Sequence, residues 1–453
     1  MMQNVIASSN KRVVVGLGPT GLSVARFLYQ RGDDFCVVDS RQSPPALAQL
    51  QQEMPDITVY AGDMPANVMN AASELIVSPG VALDEPAVAA AHEAGAAIAG
   101  DIDLFVAAAN APVVGITGSN AKSTVTALLG QMVARAGKAA GVGGNLGTPA
   151  LELLDESNEL YILELSSFQL ERAGRLGLRV ATVLNMSPDH LDRHGSMPRY
   201  HQAKHRIFRG CQAAVVNRDD PLTTPLLEDD VPLVSWGMHE PDIGQFGLRD
   251  HEGEAWLCCG FEPLMSVSSL PLPGKHNVAN ALAALAIGSV LELPTEAIVA
   301  AIKAFKGLPH RCELVVEANG VTWVNDSKGT NVGAAIAAVN GLGGDNNIIL
   351  IAGGQGKGAD FGPLKAPLAN HAKALITLGE DAAKLERMAE GVVTVHRAQS
   401  MAHAVELASK LASCGDTVLL SPACASFDMF SGFAARGDAF AAAVRTLTGE
   451  TDA

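Results

Sequence analysis

The stretch Val113-Val-Gly-Ile-Thr-Gly-Ser-Asn-Ala-Lys-Ser-Thr124 decides the fold. Its β-branched opening predicts a strand at residues 113–117, and residues 124–136 predict a helix. Between them lie a small polar loop, a lysine and hydroxyl side chains, which suit the phosphates of a nucleoside triphosphate and its Mg²⁺. The stretch therefore predicts a strand, a phosphate-binding loop and a helix.

This loop departs from the general phosphate-loop pattern, which would place glycine at the positions of Ile116 and Ala121. An alanine methyl at position 121 would crowd the loop, so its effect on ATP affinity is left open. A plain strand–helix junction without a ligand is the alternative for this string alone. The lysine and two hydroxyls of Lys122-Ser-Thr124, at the start of the helix, favour phosphate binding.

A second glycine loop, Gly16-Leu-Gly-Pro-Thr-Gly21, follows a predicted strand at residues 12–16 and opens a predicted helix at residues 21–31. Glycines there let backbone N–H groups approach a phosphate at the helix N-terminus. Asp39 ends the next predicted strand, where a dinucleotide fold places its ribose-binding acid. NAD is the first interpretation, and a tight turn without a ligand is the alternative. The pattern does not decide which nucleotide binds.

Polar residues follow two further strands predicted in the central part of the chain. Glu164 ends the strand at residues 161–165, and Asp189-His190-Leu-Asp192 follows the strand at residues 181–185. Because ligands of open α/β sheets bind at the carboxyl ends of strands, these groups are expected beside the phosphate loop. A carboxylate, an imidazole and a hydroxyl suit a divalent cation that also contacts substrate phosphates.

Lys204 is ambiguous from spacing alone. It lies in a predicted helical stretch at residues 200–208, where the default interpretation is a solvated surface lysine.

Three strands predicted near the C-terminus each run into a small-residue turn that carries a lysine or a hydroxyl. The turns are Asp326-Ser-Lys-Gly-Thr330, Gly353-Gly-Gln-Gly-Lys-Gly-Ala-Asp360 and Ser421-Pro-Ala-Cys-Ala-Ser-Phe-Asp428. Flexible turns with solvated lysines explain one such case but explain three poorly. The pattern predicts an anion-binding rim.

The composition excludes several classes of function. The 453 residues carry a formal charge of −16 and no basic tail, so nucleic acid and anionic membranes are poor partners. The seven cysteines form no C-x-x-C pair, which favours reduced thiols in the cytoplasm. Residues 1–12 lack the pattern of a signal peptide, and the apolar run at residues 278–293 is too short to span a bilayer.

Apolar strands alternate with Ala- and Leu-rich helical stretches, the pattern of parallel βαβ units. We therefore expect an α/β protein with a Rossmann-like N-terminal domain, a central P-loop ATPase-like domain and a Rossmann-like C-terminal domain. The predicted bounds are residues 1–100, 101–306 and 307–453. The remaining predicted strands lie at residues 35–39, 74–77, 322–325, 348–352, 374–378 and 417–421, and the remaining helices at 86–94 and 277–291.

Taken together, these motifs resemble the Mur ligases of peptidoglycan synthesis, and they follow the family's order along nearly the whole chain. The shared elements are Gly118-Ser-Asn-Ala-Lys-Ser-Thr124, Leu163-Glu-Leu-Ser-Ser-Phe-Gln169, Asn185-Met-Ser-Pro-Asp-His-Leu-Asp192, Gly274-Lys-His-Asn-Val-Ala-Asn280, Pro309-His-Arg311 and Asn325-Asp-Ser-Lys328. The first glycine loop and the closing Ser421–Asp428 turn look most like those of members that add D-glutamate.

The resemblance implies roles for individual residues. For ATP it implies Gly118, Ser119, Asn120, Ala121, Lys122, Ser123, Thr124, Asn277, Asn280, Arg311 and Asp326. For the UDP-linked substrate it implies Thr20, Asp39, Arg41, Gly80, Asn145 and His190, so that the first glycine loop serves UDP and not NAD. For D-glutamate it implies Lys328, Thr330, Lys357, Ser426 and Phe433. For catalysis it implies Lys122, Glu164, His190 and Lys204, and for two Mg²⁺ ions Ser123, Glu164, His190 and Lys204, the last as a carbamate.

The activity implied by the resemblance is ATP-dependent addition of D-glutamate to UDP-N-acetylmuramoyl-L-alanine through an acyl phosphate, by a cytoplasmic monomer. The nearest alternative is another ligase of the superfamily, which adds a different amino acid or extends folate with glutamate. An NAD-dependent oxidoreductase and a non-catalytic nucleotide-binding regulator are more remote alternatives. The oxidoreductase leaves Lys122, Glu164 and His190 without a role.

Overall fold

The computed structural model describes residues 11–449, and this part of the chain forms successive α/β layers around three separate sheets. The predicted α/β class with three domains is confirmed. Most of the segment on which the absence of a signal peptide was inferred, residues 1–10, lies outside the described residues.

The N-terminal sheet is parallel, with the strand order β3-β2-β1-β4-β5. Its strands are β1 (Arg12–Val15), β2 (Phe35–Asp39), β3 (Val59–Ala61), β4 (Glu74–Val77) and β5 (Ala97–Ala99). The helices are α1 (Pro19–Gln30), α2 (Leu47–Glu53), α3 (Ala66–Met69), α4 (Pro86–Glu93) and α5 (Asp101–Ala108), the last leading into the central domain. β2 is buried along its whole length, because helices cover both faces of a parallel sheet.

The central sheet has the order β14-β13-β12-β11-β10-β9-β6-β8-β7, and only β12 to β14 pair antiparallel. Its strands are β6 (Val113–Thr117), β7 (Ala140–Gly144), β8 (Leu160–Glu164), β9 (Val180–Val183), β10 (Ala214–Asn217), β11 (Leu233–Trp236), β12 (Phe246–His251), β13 (Glu254–Cys259) and β14 (Glu262–Ser266). The helices are α6 (Lys122–Arg135), α7 (Ser167–Arg172), α8 (Leu191–His194), α9 (Met197–His205), α10 (Lys275–Val290) and α11 (Thr295–Ala304).

The third sheet has the order β15-β16-β20-β17-β18-β19, parallel except for the pair β15 and β16. Its strands are β15 (Glu313–Ala318), β16 (Val321–Asn325), β17 (Ile348–Gly353), β18 (Ala372–Leu378), β19 (Thr394–Arg397) and β20 (Thr417–Leu420). The helices are α12 (Val332–Leu342), α13 (Lys365–His371), α14 (Ala382–Ala389), α15 (Met401–Leu411) and α16 (Phe433–Thr448).

The parallel arrangement determines where a site can form. β9, β6 and β8 lie side by side in the parallel part of the central sheet, with their carboxyl ends at the same edge. α6 starts directly after the loop that follows β6, and α12 of the third domain packs against α10 of the central domain. The polar residues at these strand ends therefore face the third domain.

Within residues 11–449, no helix combines the length and the apolar character needed to cross a membrane.

Candidate active site

The phosphate loop, residues 118–124, is held from both sides by polar contacts. The backbone N–H of Asn120 donates to Asn185 Oδ1 at 2.8 Å, and Asn185 Nδ2 donates back to the Asn120 carbonyl at 3.2 Å. Lys122 starts α6, and its Nζ donates to the carbonyls of Gly118 and Ser119, each at 2.9 Å. The ammonium group thus lies over the loop, where a phosphate would replace the carbonyls as its partner.

Ala121 adopts the left-handed conformation, with φ 67°, at the residue that precedes α6. This is a conformation that glycine adopts readily and alanine at a cost. A glycine at this position, as in the general phosphate-loop pattern, would adopt this backbone conformation without that cost.

Glu164 is the last residue of β8 and is almost fully buried. Its Oε1 accepts a hydrogen bond from Asn145 Nδ2 at 2.7 Å, and its Oε2 accepts one from the hydroxyl of Ser123. Burial alone would raise the pKa of Glu164, but the charge of Lys122 and these two hydrogen bonds outweigh it and lower the pKa below its ordinary value. An ionised carboxylate and a hydroxyl, side by side, are oxygen donors of the kind that Mg²⁺ prefers.

Lys204 lies on α9 and is buried, with 1% of the residue exposed, so the surface position favoured by its spacing is wrong. Its Nζ donates to the Gly118 carbonyl at 2.7 Å and to Thr117 Oγ1 at 3.2 Å, and lies 4.9 Å from the centre of the Tyr200 ring. Burial, and then the charge of Lys122, lower the pKa of Lys204 well below its usual value. The amine is therefore held directly beneath the phosphate loop, and no carboxylate of residues 11–449 pairs with it.

His190 projects from the loop that follows β9, with φ 52°. Its Nε2 lies 3.6 Å from Asp189 Oδ2, and its ring packs edge-on against Phe168 at 4.8 Å between centres. Burial lowers the pKa of His190, although Asp189 opposes the change, so the imidazole is neutral near pH 7. Asp189 lies beside the imidazole, whereas Asp192 is exposed on α8. Only one of the two acids predicted beside the imidazole is therefore found there.

The third domain contributes charges to the same region. Arg311 Nη2 donates to Ser123 Oγ at 2.5 Å, across the boundary between the two domains. Asp326 accepts hydrogen bonds from Ser421 Oγ at 2.7 Å and from the Cys312 backbone at 3.2 Å, and burial raises the pKa of Asp326 to about 6. Burial, and then the charge of Arg311, lower the pKa of Lys328 to about 8. An amine with this pKa exchanges its proton readily at neutral pH.

These groups surround a cavity of about 590 Å³ between the central and third domains. The predicted site residues that border it are Ser119, Asn120, Ala121, Lys122, Ser123, Thr124, Asn145, Glu164, His190, Lys204, Asn277, Asn280, Arg311, Asp326, Lys328 and Thr330. Gly118 contributes the carbonyl that accepts hydrogen bonds from both Lys122 and Lys204. The predicted residues that do not border it are Thr20, Asp39, Arg41, Gly80, Lys357, Ser426 and Phe433.

In the N-terminal domain, the carboxylate of Asp39 accepts hydrogen bonds from neighbouring residues of the protein. Its Oδ2 accepts from the backbone N–H of Leu17 at 2.7 Å and from Arg41 Nη2 at 2.6 Å, and its Oδ1 accepts from the Arg41 backbone at 2.9 Å. Asp39 therefore fixes the first glycine loop and orients Arg41, whose side chain is half exposed. Gly21 is required in that loop, because a Cβ there would lie 1.9 Å from the Gly16 carbonyl oxygen.

Arg436 organises the amino-acid rim predicted in the third domain. Its buried guanidinium donates to the Ser327 carbonyl at 2.8 Å, to Cys424 O at 3.1 Å and to Gly353 O at 3.5 Å. These carbonyls belong to the three strand-end turns that carry the predicted D-glutamate residues Lys328, Thr330, Lys357 and Ser426. The Nζ of Lys328 also lies 4.1 Å from the centre of the Phe433 ring, so this ring forms one wall beside the lysine.

Several residues of the site escaped sequence reasoning. Tyr200 borders the cavity and its hydroxyl lies 3.1 Å from Ser119 Oγ, yet on a helix a tyrosine gives no signal of this kind. Arg436 binds backbone carbonyls beneath the predicted rim, which no side-chain pattern reveals. Asn331 had a usable signal, because an asparagine directly before an apolar helix is typical of an N-cap.

Comparison with known families gives matches over most of the chain. The Mur ligase MurD-like N-terminal domain matches residues 10–100, the Mur ligase middle domain residues 116–288, and the Mur ligase glutamate ligase domain residues 310–424.

Curated relatives match along the full length. The UDP-N-acetylmuramoylalanine--D-glutamate ligase of Pseudomonas aeruginosa is 52% identical over 446 residues, which cover 98% of this chain and all of the relative. The enzyme of the same name from Nitrosococcus oceani is 52% identical over 436 residues, which cover 96% of both chains.

Solved structures share the fold at low identity. MurF from Acinetobacter baumannii superposes with a TM-score of 0.61 at 17% identity, covering 96% of this chain and 93% of that chain. The UDP-N-acetylmuramate-alanine ligase MurC from Thermotoga maritima gives 0.58 at 18% identity, covering 97% of this chain and all of the other.

Proposed function

The chain belongs to the Mur ligase family, and from this premise we infer that it is an ATP-dependent ligase that adds D-glutamate to UDP-N-acetylmuramoyl-L-alanine. The reaction gives ADP and phosphate and belongs to the synthesis of peptidoglycan precursors. The choice of D-glutamate follows the full-length relatives, which carry that activity in their names.

The observation that carries this function is the shared cavity. It places the phosphate loop, Glu164 and His190 of the central domain opposite Lys328 and Thr330 of the third domain. A ligase that first phosphorylates a carboxylate and then aminates it needs both halves of this arrangement within reach of one carbonyl carbon. An NAD-dependent oxidoreductase needs neither a triphosphate loop nor the second set of residues.

In the first step, a carboxylate oxygen of the UDP-linked substrate attacks the γ-phosphorus of ATP, and ADP leaves. Two anions must approach each other, so Lys122 and Arg311 contribute by neutralising phosphate charge. In the second step the amino group of D-glutamate attacks the acyl carbon, loses a proton, and expels phosphate as the amide forms. We propose that Lys328, Thr330, Lys357, Ser426 and Phe433 position D-glutamate for this attack.

Mg²⁺ fits the donor set of the central domain. Bound there, it would supply further neutralisation of phosphate charge. Ser123 Oγ and the ionised Glu164 are hard oxygen donors and already lie together. Within residues 11–449, however, no three His, Cys, Asp and Glu side chains converge as a metal cluster. Each ion would therefore take its remaining ligands from ATP phosphates, from water or from a modified side chain.

We propose that Lys204 is the modified side chain and carries a carbamate. Burial lowers the pKa of this amine well below the ordinary value, so it loses its proton more readily than an exposed lysine, and the free amine can react with CO₂, forming an N–C bond and releasing one proton. The product is an anion, which with His190 would hold a second Mg²⁺. The contacts of this buried amine with Gly118 and Thr117 place it directly beneath the phosphate loop, within the region proposed to bind Mg²⁺.

The UDP part of the substrate is proposed to bind at Thr20, Arg41 and Gly80, with Asp39 acting through Arg41, and Asn145 and His190 are proposed to reach the muramoyl part. Asn277, Asn280, Arg311 and Asp326 are proposed to hold the rest of ATP. The enzyme is proposed to act as a monomer in the cytoplasm, where ATP and nucleotide-linked precursors are available.

The test is phosphate release from ATP in the presence of UDP-N-acetylmuramoyl-L-alanine, with D-glutamate, L-glutamate, L-lysine or diaminopimelate supplied in turn. We expect release only with D-glutamate. Lys122→Ala should abolish it, whereas Lys138→Ala, at an exposed position beyond the end of the same helix, should not. Release with another acid would leave the mechanism and change the substrate, and ATP binding without any release would favour a non-catalytic regulator.

A further inference from the structure

One asparagine of the third domain bridges two loops of the central domain. Asn331 is the N-cap of α12, where its Oδ1 accepts the backbone N–H of Ala334 at 2.8 Å. Its Nδ2 donates to Asn120 Oδ1 and to Asp189 Oδ2, both at 3.0 Å. Asn331 itself is buried, with 8% of the residue exposed, and it borders the cavity together with both of these partners. A single amide therefore caps a helix and ties its domain to its neighbour.

The two partners of this amide belong to the two loops that form the ATP side of the cavity. Asn120 lies in the phosphate loop, two residues before Lys122, and Asp189 directly precedes His190. On the other side, Thr330 and Lys328 lie one and three residues before Asn331. The bridge consequently joins the groups proposed to activate the carboxylate to the groups proposed to hold the amino acid.

The rest of α12 is shaped for close approach to the central domain. A Cβ on Gly333, in its first turn, would lie 2.6 Å from Ser187 Oγ, and a Cβ on Gly341, near its end, would lie 2.4 Å from His276 Nδ1. Side chains at these two positions would push the helix away. Glycines at both ends of α12 thus let the amide of Asn331 reach its two partners.

We propose that Asn331 is a positioning residue that sets the register of the third domain on the phosphate loop. This inference rests on the proposed ligase function. With the bridge in place, the amino group of the incoming acid lies where the acyl phosphate forms. Without it, the acyl phosphate still forms but its capture by the amine slows, and water competes for the acyl carbon.

The chain allows a variant that separates bridging from capping. Asn331→Asp keeps a side-chain oxygen for the Ala334 N–H, and aspartate is as good an N-cap as asparagine. It removes the amide donor and places a carboxylate against Asp189. Asn331→Ser also keeps a cap but is too short to bridge. Ser400→Ala is the matched control, because Ser400 caps α15 in the same domain through His403.

The experiment measures phosphate release and amide formation in parallel, together with KM for ATP and for D-glutamate. For Asn331→Asp and Asn331→Ser we expect kcat for amide formation to fall roughly 10- to 100-fold, with KM for ATP within about twofold of wild type. The ratio of phosphate released to amide formed should rise above one, which a loss of folded protein does not produce. Ser400→Ala should keep the wild-type ratio.

A wild-type ratio and wild-type kcat in both Asn331 variants would overturn the inference, as would an equal change in Ser400→Ala. Failure of the proposed function looks different, because wild-type enzyme itself would then release no phosphate with any of the acids.

Discussion

The first junction, between the N-terminal and central domains, and the second junction, between the central and third domains, are held by different chemistry. At the first, Arg172 is buried and donates to the carbonyls of Val77, Ser78, Pro79 and Val81 at 2.7–3.4 Å. At the second, the neutral amide of Asn331 and the contact from Arg311 to Ser123 border a cavity.

This difference indicates which of the two junctions can rearrange when a ligand binds. The partners of the buried Arg172 guanidinium across this junction are backbone carbonyls of the protein itself, so the first junction behaves as part of the fold. Two partners across the second junction, Ser123 and Asn120, are among the residues proposed to bind ATP, so a nucleotide bound there would replace contacts between the domains. The first junction presents the Gly80 loop in a fixed position, and the second can adjust around substrates.

The largest expected effect is on the first junction. Arg172→Met keeps much of the side-chain volume but removes the donor shared by four backbone carbonyls, of which those of Ser78 and Val81 keep a second partner. We expect a loss of about 3–5 kcal/mol in the free energy of unfolding. Urea unfolding measures it. Arg175→Met is the control, since Arg175 is exposed and its ion pair with Glu228 is 3.7 Å long, and this change should alter stability by less than about 0.5 kcal/mol.

Asn331→Asp keeps its helix cap and should lose about 1 kcal/mol in the free energy of unfolding. The contrast between the two junctions would be contradicted if Arg172→Met lost no more than that.

The second prediction tests the proposed carbamate of Lys204, beneath the phosphate loop, separately from the contacts between the central and third domains. Lys204→Ala should reduce the rate of amide formation roughly 100- to 1,000-fold, because it removes the proposed carbamate that would hold a metal ion. Short carboxylic acids such as acetate should restore part of the activity by supplying the missing anion. Lys303→Ala, at an exposed position on α11, is the control and should keep full activity without any response to acetate.

Wild-type rates in Lys204→Ala would contradict the carbamate. Loss of activity without rescue would leave the lysine essential in its unmodified form.

The third prediction concerns pH and the second junction. Both ring nitrogens of His276 are buried without a hydrogen-bond partner in the described chain, and burial lowers the pKa of His276 to about 4. Because the unfolded chain binds this proton at higher pH, the folded state loses stability as pH falls from about 6.5 towards 4. Between pH 7.5 and 5 this group should cost about 2 kcal/mol.

His276→Phe keeps a ring of similar size and cannot be protonated, so its stability should fall by about 2 kcal/mol less over the same interval. Urea unfolding at the two pH values measures the difference. Equal pH dependence in both proteins would show that His276 becomes solvated and that the junction is looser than its packing against Gly341 indicates.

Most strands of the first sheet could be predicted from the sequence, whereas the contacts at the two domain junctions could not. The strands at Phe35–Asp39, Glu74–Val77 and Val113–Thr117 were predicted residue for residue, because each is a buried apolar run between turn residues. The sequence analysis named no strand in residues 186–276, where β10 to β14 form. Several of these strands have an exposed face, and their mixed composition resembles that of loops.

The site divides in the same way. Lys122, Glu164 and His190 could be placed together because each follows a strand, and parallel strands end at one edge. Lys204 could not, since its burial depends on the position of α9 against the phosphate loop and not on its own helical spacing. Asn331 and Arg172 act on partners up to 211 residues away in sequence, and such contacts exist only once the domains are assembled.

The smallest expected effect is at Ala121, in the loop that borders the second junction. With φ 67° this alanine pays the cost of the left-handed conformation, so Ala121→Gly should raise the free energy of unfolding by about 0.5–1 kcal/mol. Ala127→Gly is the matched control, because the same change inside α6 should lower it by about as much. KM for ATP should stay about unchanged in both variants. A large fall in KM for ATP in Ala121→Gly alone would show that the methyl group crowds the nucleotide. The main cost of the alanine would then be steric contact with the ligand and not the left-handed backbone conformation.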